Sequence, residues 1–337
     1  MKRPRLAILL STLLLGAAAV ALLAVGPASS AERAPAQALG AKCGVFPEPG
    51  PEVPAEAASL PDQRAWNQDV SAAPLDPRSD AIIEFINSAG ADALHPDFGS
   101  PREYGIPYRV VGERTKPTKV RFTAYGGDES DRGTYRVPLS TPVEGGAGGD
   151  GDRHVIAYDR ARCKLYELYR AFPRRAQQRW DADSGAIWDL GSAGLRNEGF
   201  TSADAAGLPI FPGLLRYDEV RSGSVDHALR VTFETTRDAW INPASHCAGA
   251  TANAEAPPMG MRLRLRAGYD TAGISGDAGV IAAALKRYGL IVADNGSNWF
   301  FQGATDRRWD DDDLNQLKQI PGAAFEVVRS EADVHVC

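Results

Sequence analysis

The chain has 337 residues and a formal net charge of −6, and 44% of its residues are hydrophobic. This length allows either one large β-rich domain or two ordinary domains, each with a sizeable core. The basic residues are dispersed and no DNA- or RNA-recognition motif is present, so an acidic chain of this kind does not favour a nucleic-acid partner.

The N-terminus carries the pattern of an export signal. Three positive charges in "MKRPR" precede a long apolar run, and "GPASSA" ends in small residues suited to cleavage after Ala31. A retained membrane anchor is the alternative, because the apolar run is long enough to span a bilayer. We predict a signal peptide over residues 1–31, a secreted mature protein, and no membrane span once the signal is removed.

The next segment, residues 32–62, is rich in Ala, Pro and Glu and has few large apolar side chains. Such a segment buries too little surface to offset the entropy lost on ordering, so we predict a flexible leader. Residues 63–337 are then predicted to form a single β-rich domain. Near its start, "SDAIIEFINSAG" predicts a short helix with Ser79 as its N-cap.

From residue 104 onward, short runs of β-branched and aromatic residues alternate with clusters of Gly, Pro, Asp and Ser, and "LLRYDEV" is one of the runs predicted as strand. In "HALRVTFET", Leu229, Val231 and Phe233 fall on one face of a strand, which predicts a sheet with one apolar and one polar face. We therefore predict a mostly β protein with an antiparallel β-sandwich or jelly-roll-like architecture and a few short helices.

The C-terminal part combines helix, hairpin and acidic signals. The string "DAGVIAAALKRYG" predicts a helix, and residues 290–293 and 298–301 are predicted to pair as an antiparallel hairpin over Asn295-Gly296. In the run "DDDD", Asp310 or a neighbour is predicted to cap a short helix rather than to chelate a cation. Trp299 and Trp309 flank the hairpin and are predicted to form an exposed stacking platform.

The cysteines indicate two disulfides, because their number is even and an exported chain meets oxidising conditions. They are Cys43, Cys163, Cys247 and Cys337. Three pairings are possible, and a Cys43–Cys337 bridge, which leaves Cys163–Cys247 in the body of the fold, would tie down both ends of the chain. A zinc site is the alternative, but the sequence has no C-x-x-C pair and no H-x-x-x-H arrangement, so we predict no metal and no cofactor.

Phosphate-loop, nucleophile-elbow and zinc-protease motifs are absent from the sequence, so the candidate catalytic groups are carboxylates and histidines on long polar segments. An acid and a second carboxylate cleave a glycosidic bond, whereas a lyase needs a His or Tyr base and a cation. A lone histidine in a strand is more often structural. The predicted catalytic residues are Glu144, His154, Asp218, Asp226 and His227. The predicted ligand-binding residues are Arg153, Tyr217, His246, Trp299 and Trp309.

Several strings, among them "GDRHVIAYDRARCKLYELY", "GFTSADAAGLPIFPGLLRYDE" and "ADNGSNWFFQGATDRRWDDDDL", resemble a group of secreted microbial proteins with no established activity. The likeness covers residues 65–328 and implies a single domain family in an exported context. It implies no reaction, and no catalytic residue follows from it.

The leading hypothesis is a secreted β-sandwich protein that acts on an extracellular polysaccharide or glycan, as a hydrolase or a lyase. The main alternative is a non-catalytic carbohydrate-binding or cell-envelope-associated module, and a purely structural surface protein is a third. Convergence of the candidate carboxylates and histidines on one cleft favours an enzyme, and their dispersal favours a binding module.

Overall fold

The computed structural model describes residues 65–101, 103–125, 129–190 and 196–337, all within one compact unit of the chain. Strand residues make up 27% and helix residues 18%, which confirms a mostly β fold with few short helices. The predicted signal peptide and leader lie outside the described residues. Among the helices of the described part, none has both the length and the apolar character needed to cross a membrane.

The described helices are short and the described strands are numerous. The α-helices are α1 Ser79–Asn87, α2 Tyr217–Ser222, α3 Gly276–Arg287 and α4 Asp311–Leu314. The 3-10 helices are Arg175–Gln177, Phe211–Gly213, Asn315–Gln319 and Gly322–Ala324. The strands are β1 His95–Asp97, β2 Tyr108–Val111, β3 Lys119–Phe122, β4 Val155–Asp159, β5 Lys164–Tyr169, β6 Phe172–Arg174, β7 Arg179–Ala182, β8 Ser184–Asp189, β9 Leu229–Phe233, β10 Ala239–Trp240, β11 Arg262–Leu265, β12 Leu290–Asn295, β13 Phe300–Gln302, β14 Phe325–Val327 and β15 His335–Val336.

The largest described sheet has six strands in the order β1-β13-β9-β12-β11-β14. It is mixed, because β9 pairs in parallel with β12 and antiparallel with β13, while β1 pairs in parallel with β13. The antiparallel prediction is therefore wrong for this sheet. The predicted hairpin is also wrong, since β9 lies between the two strands that were expected to pair.

The pairing of β9 with β12 contains a register shift between Val292 and Asp294. Such a bulge leaves one residue out of register and changes the direction of the side chain that follows it. Here the side chain that follows is the carboxylate of Asp294. The bulge thus positions an acidic group at the end of an otherwise buried strand.

Two hydrophobic cores lie on opposite sides of a four-stranded sheet with the order β2-β4-β5-β8. In β4, Ile156 and Tyr158 belong to the larger core, whereas Val155 and Ala157 belong to the smaller one. The smaller core also contains residues of the three-stranded sheet β3-β7-β6, such as Trp180. Both faces of β4 are therefore covered, and the expected polar outer face is absent from this strand.

The central strand β9 is likewise buried along its whole length. Leu229, Val231 and Phe233 belong to the larger core, as the alternation predicts. The other face of the strand carries Arg230, and the segment Phe211–Gly213 packs onto it: a Cβ added at Gly213 would lie 3.0 Å from the Cβ of Arg230. A cationic side chain is thereby enclosed between a sheet and a covering loop.

The locally encoded helices follow the sequence closely. The helix predicted from "DAGVIAAALKRYG" is α3, and Gly289 follows it with φ 70°. The carboxylate of Asp310 accepts hydrogen bonds from the backbone N–H groups of Asp312 and Asp313 at 3.0 and 3.3 Å, which confirms the predicted aspartate cap of α4.

Two local predictions differ from the structure. The N-cap of α1 is Arg78 rather than Ser79, whose hydroxyl instead accepts a hydrogen bond from the backbone N–H of Val327 at 2.9 Å. The last four residues of "LLRYDEV" lie in α2 instead of the predicted strand. The helix begins where Glu219 reaches back to the backbone N–H of Arg216 at 3.2 Å, an arrangement that favours a helix start.

The described disulfide joins Cys247 to Cys337, with a Cα–Cα distance of 6.4 Å. The strand pair β10–β15, in which Trp240 lies opposite His335, brings the C-terminus beside this segment. Cys163 is also disulfide-bonded, and Cys43 lies outside the described residues. The expected pairing of Cys163 with Cys247 and of Cys43 with Cys337 is therefore wrong.

Candidate functional site

A partly buried ion pair joins Glu144, which precedes the glycine-rich segment 145–151, to His154, which directly precedes β4. The Nδ1 atom of His154 lies 2.6 Å from Oε2 of Glu144, and the backbone N–H of His154 donates to the same oxygen at 3.1 Å. The backbone N–H of Glu144 donates in return to the carbonyl oxygen of His154 at 3.0 Å. The sequence predicts both residues as catalytic, and the structure brings these two together.

The surroundings of this pair favour its charged form. The Nε2 atom of His154 lies 3.1 Å from the carbonyl oxygen of Ala203, so both ring nitrogens face acceptors and an imidazolium can donate to each. Burial lowers the pKa of His154, but the charge and hydrogen bond of Glu144 outweigh it and raise that pKa. Burial raises the pKa of Glu144, but the charge and hydrogen bonds of His154 outweigh it and lower that pKa.

The Arg153 side chain holds the loop that carries Glu144. Its guanidinium donates to the carbonyl oxygens of Gly146, Gly149 and Ala171, and it lies 4.4 Å from the centre of the Phe172 ring. Because Arg153 is itself buried, its donors serve the backbone of the loop. The structure thus places Arg153, predicted as a ligand-binding residue, in a loop-positioning role.

The buried Arg230 is the centre of a second set of charges beside this pair. Its guanidinium donates to the carboxylate of Asp204 and to the side-chain oxygen of Gln302, and it lies 4.0 Å from Oδ2 of Asp294. Burial lowers the pKa of Arg230, while the charges of Asp294, Glu167 and other carboxylates oppose that change. The Nε atom has no hydrogen-bond partner among the described residues.

Two carboxylates form the accessible side of this cluster. The side chains of Glu144 and Asp294 are 22% and 23% exposed, whereas those of Arg230 and Asp204 are fully buried. Burial raises the pKa of Asp294, although the charges of Arg230 and His154 oppose the change. A solvent-facing acidic group with a raised pKa therefore lies beside a buried cation.

Asp97 supplies a third carboxyl group, at the end of the edge strand β1. In the β1–β13 pairing it lies opposite Gln302, the residue that binds Arg230. Burial and, after it, the negative charge of Glu144 raise the pKa of Asp97. No hydrogen bond or ion pair joins the Asp97 carboxyl to any residue that the structure describes. Asp97 and Glu144 thus interact, and their environments move their pKa values in opposite directions.

A cavity of about 290 Å³ opens beside Asp97. It lies along β1 and is bounded on the other side by the start of α4 and the 3-10 helix that follows it. Its lining includes His95, Asp97, Tyr104, Phe300 and Lys318. The Asp97 carboxyl is therefore reached from a space in which a small molecule fits, whereas Glu144 is not part of the lining.

Three other predicted site residues gather around Arg308. The guanidinium of Arg308 pairs with the carboxylate of Asp218 at 2.7 Å and lies 4.3 Å from the centre of the Tyr217 ring. Trp309 packs edge-on against Tyr217, and its indole N–H donates to the carbonyl oxygen of Ala304 at 3.0 Å. Trp309 is buried, so the predicted exposed platform at this position is wrong.

The remaining predicted histidines are held by other partners. The Nε2 atom of His227 lies 3.2 Å from Oε2 of Glu219, and burial together with the charge of Arg216 lowers the pKa of His227 to about 3. Asp226 accepts a hydrogen bond from the Ser224 hydroxyl. The Nδ1 atom of His246 lies 2.8 Å from the carbonyl oxygen of Ala205.

The five predicted catalytic residues therefore do not form one set. In the described part of the chain, no hydrogen bond or ion pair links Asp218, Asp226 or His227 to the Glu144–His154 pair. By the criterion of convergence, only that pair supports a catalytic role among the predicted five.

Trp299 is a core residue, and the predicted stacking platform is wrong here too. Its side chain is 0% exposed, and its indole N–H donates to Oδ1 of Asn87 at 2.7 Å. Its ring packs against Phe233 and Phe325 with ring centres 5.1 and 5.0 Å apart. The residue precedes β13 and has φ 63°, so strand alternation does not govern its direction.

Three site residues were missed by the sequence reasoning: Asp97, Arg230 and Asp294. Each carries its signal in the sequence as a charged residue within or at the end of an apolar strand: "LHPDF", "ALRVTF" and "LIVADN". A charge at such a position is either solvent-facing or paired in the interior. To decide between a solvent-facing and an interior charge, one must know which segment covers the strand. The local sequence does not give this information.

The chain was compared with protein-family models, with curated proteins and with solved structures, and none of them matched. Within the described residues, one group has the spacing of metal ligands: Asp238 with Cys247 and Cys337. The two sulfur atoms of this group are joined in the disulfide. The site therefore rests on the geometry and charges around Asp97, Glu144 and Arg230.

Proposed function

We propose that the chain is a secreted hydrolase that cleaves glycosidic bonds of an extracellular polysaccharide, with Asp97 as the acid and Glu144 as the base. The observation that carries this proposal is the Asp97 carboxyl in the wall of the cavity, with no hydrogen-bond or ion-pair partner among the described residues. Burial and then the charge of Glu144 raise the pKa of Asp97, whereas the charge and hydrogen bonds of His154 outweigh burial and lower the pKa of Glu144. Two carboxyl groups whose environments separate their pKa values can divide the acid and base roles of glycoside hydrolysis.

In the proposed step, Asp97 donates its proton to the glycosidic oxygen as the bond from that oxygen to the anomeric carbon breaks. Glu144 takes a proton from a water molecule whose oxygen bonds to the same carbon. Transfer of one proton from Glu144 to Asp97 through solvent restores the starting state. His154 and Arg230 support this role, because their positive charges favour the ionised form of Glu144.

Neither histidine predicted as catalytic is available as the base of a lyase reaction. A lyase base must be an accessible group that accepts a proton from the carbon next to a carboxylate. Both ring nitrogens of His154 lie against acceptors, so neither is free to act as this base. His227 is buried and its Nε2 atom faces Glu219.

The test is incubation of the purified mature protein with a panel of polysaccharides. Reducing ends report hydrolysis, and ultraviolet absorbance of unsaturated products reports a lyase. We expect reducing ends without unsaturated products, and we expect Asp97→Asn to lower the rate about a hundredfold or more. The matched control is Asp92→Asn, an exposed aspartate on the same segment, which should leave the rate unchanged.

The alternative functions give different results in the same assay. Formation of unsaturated products would show that the chain is a lyase and not a hydrolase. Binding of a polysaccharide without any cleavage would favour the non-catalytic carbohydrate-binding or envelope-associated module. Equal rates for the wild-type protein and Asp97→Asn would remove Asp97 from the mechanism.

The proposal also includes an expectation about the fold and an expectation about export. We infer that the four-stranded and three-stranded sheets form a small β-sandwich, because residues from both contribute to the smaller core. Export of the chain, and its likeness to secreted microbial proteins, are supported by the sequence patterns alone.

A further inference from the structure

The cavity beside Asp97 has the size and lining of a site for one sugar ring. Its volume of about 290 Å³ lies at the lower end of the range found for small-molecule pockets. Aromatic and polar side chains both contribute to its lining. A combination of flat aromatic surface and convergent polar groups is what a polyhydroxylated ring requires.

The aromatic surface is built into the sheet. His95 and Phe300 lie opposite each other in the β1–β13 pairing, and their rings stack with centres 4.1 Å apart and an interplanar angle of 8°. Tyr104, on another part of the lining, is 58% exposed. Strand register places the two residues side by side, which allows their rings to stack.

The polar groups of the cavity have unused hydrogen-bonding capacity. The imidazole of His95, the hydroxyl of Tyr104 and the ammonium of Lys318 form no hydrogen bond or ion pair with any residue of the described ranges. Burial and then the charge of Lys318 lower the pKa of His95, so its ring is a neutral donor and acceptor near pH 7. These groups face solvent in the free protein and are available to hydrogen-bond a ligand.

The described lining contains one cation, Lys318, that is available to an anionic ligand. Lys318 is a cation without a described partner, whereas the carboxylate of Asp311 accepts hydrogen bonds from the backbone N–H and hydroxyl of Ser100 at 2.9 and 2.7 Å. As the acid of the proposed hydrolase, Asp97 carries its proton when the substrate binds, and in that form it does not repel an anion. A ligand carboxylate would give Lys318 a charge-assisted hydrogen bond.

We infer that this cavity binds one uronic acid residue of an acidic polysaccharide, with the ring on the His95–Phe300 stack and the carboxylate on Lys318. The inference rests on the proposed hydrolase function, because Asp97 lines the cavity and so lies next to the bound sugar. It narrows the substrate of that function from polysaccharides in general to polyuronates.

The test is calorimetric binding of short oligomers of galacturonate and of mannuronate to Asp97→Asn protein, in which turnover is blocked. The same oligomers with their carboxyl groups reduced to alcohols are the matched neutral ligands. Lys318→Met is compared with Lys116→Met, which removes the same charge from an exposed loop position. His95→Phe keeps an aromatic ring on Phe300 and removes the two nitrogens.

We expect Lys318→Met to weaken binding of the acidic oligomer about tenfold, and reduction of the ligand to have an effect of the same size. In the Lys318→Met protein the acidic and reduced oligomers should bind equally, and Lys116→Met should change nothing. His95→Phe should weaken both ligands to a similar extent. The inference would be overturned if the Asp97→Asn protein bound the acidic oligomers equally well with and without Lys318→Met. It would also be overturned if the Asp97→Asn protein bound the reduced oligomers more tightly than the acidic ones.

Failure of the subsite and failure of the hydrolase give different patterns. If oligouronates bind in a Lys318-dependent manner but the wild-type chain cleaves no polysaccharide, the binding site stands and the hydrolase proposal falls. If the wild-type chain cleaves a neutral polysaccharide and binds no oligouronate, the hydrolase stands and the uronate site falls.

Discussion

A single oxygen of Glu144 accepts two hydrogen bonds from His154, one from the ring Nδ1–H at 2.6 Å and one from the backbone N–H at 3.1 Å. The same contact ties the glycine-rich segment to the first residue before β4. Because the imidazole is buried, the pair contributes to stability only while both groups are charged. The charge state of this pair therefore links pH to the stability of the fold.

Folding raises the pKa of His154 above its ordinary value of 6.5 and lowers that of Glu144 below its ordinary value of 4.5. The stabilisation from His154 is complete below pH 6.5 and is lost as the pH rises through the raised pKa. The stabilisation from Glu144 is complete above pH 4.5 and is lost as the pH falls through the lowered pKa. We therefore predict that the pair contributes most between pH 4.5 and 6.5.

Urea unfolding at a series of pH values measures this contribution. The difference in unfolding free energy between wild-type protein and His154→Gln should be largest in that window and should shrink on either side. His246→Gln is the control, because His246 is partly exposed and has no described carboxylate partner. A difference that does not vary with pH would show that the pair is not ionised in the folded chain.

Trp299 supports the fold rather than a ligand, and we predict that Trp299→Ala costs about 3–5 kcal/mol of unfolding free energy. The reason is the loss of a fully buried ring packed against Phe233 and Phe325. Tyr104→Ala is the exposed aromatic control and should change stability by about 0.5 kcal/mol or less. Chemical denaturation of the wild-type protein and the two variants checks this prediction. An unchanged denaturation midpoint for Trp299→Ala would show that the Trp299 ring is not part of the core.

The pairing of Cys247 with Cys337 closes a loop with a sequence separation of 90. We predict that replacing both cysteines by serine lowers the unfolding free energy by about 2–4 kcal/mol, mainly because the unfolded chain gains freedom. Non-reducing peptide mapping should give a crosslinked fragment containing both residues. A fragment that links Cys163 to Cys247 would instead restore the pairing expected from the sequence.

Local features of this fold were predictable, and strand pairing was not. The helix α3 and the Asp310 cap depend on residues within one or two turns of each other, so their sequence contains the whole signal. The strands β12 and β13 were also located, but β9, about 60 residues earlier in the chain, lies between them. An Asn-Gly turn signal does not predict which strand will lie next to β12 in the sheet.

The candidate site illustrates the same limit. The pairing of Glu144 with His154 spans ten positions and both residue types were recognised as candidates. The alternation in β9 predicts Arg230 on a polar, solvent-facing side. Its partner Asp204 lies on a loop whose position over β9 depends on the rest of the fold, so the sequence does not show that Arg230 is buried. The position of Asp97 opposite Gln302, where the charge of Glu144 acts on its pKa, depends on the pairing of β1 with β13.

The measurement that tests the account most directly is a carboxyl ¹³C NMR titration of Asp97 and Glu144. We predict that Asp97 titrates above its ordinary value of 3.8 and Glu144 below its ordinary value of 4.5. Replacement of Glu144 by Gln should lower the midpoint of Asp97, since it removes a nearby negative charge. A midpoint for Asp97 at or below 3.8, or one that is the same in Glu144→Gln, would contradict the proposed acid and base pair.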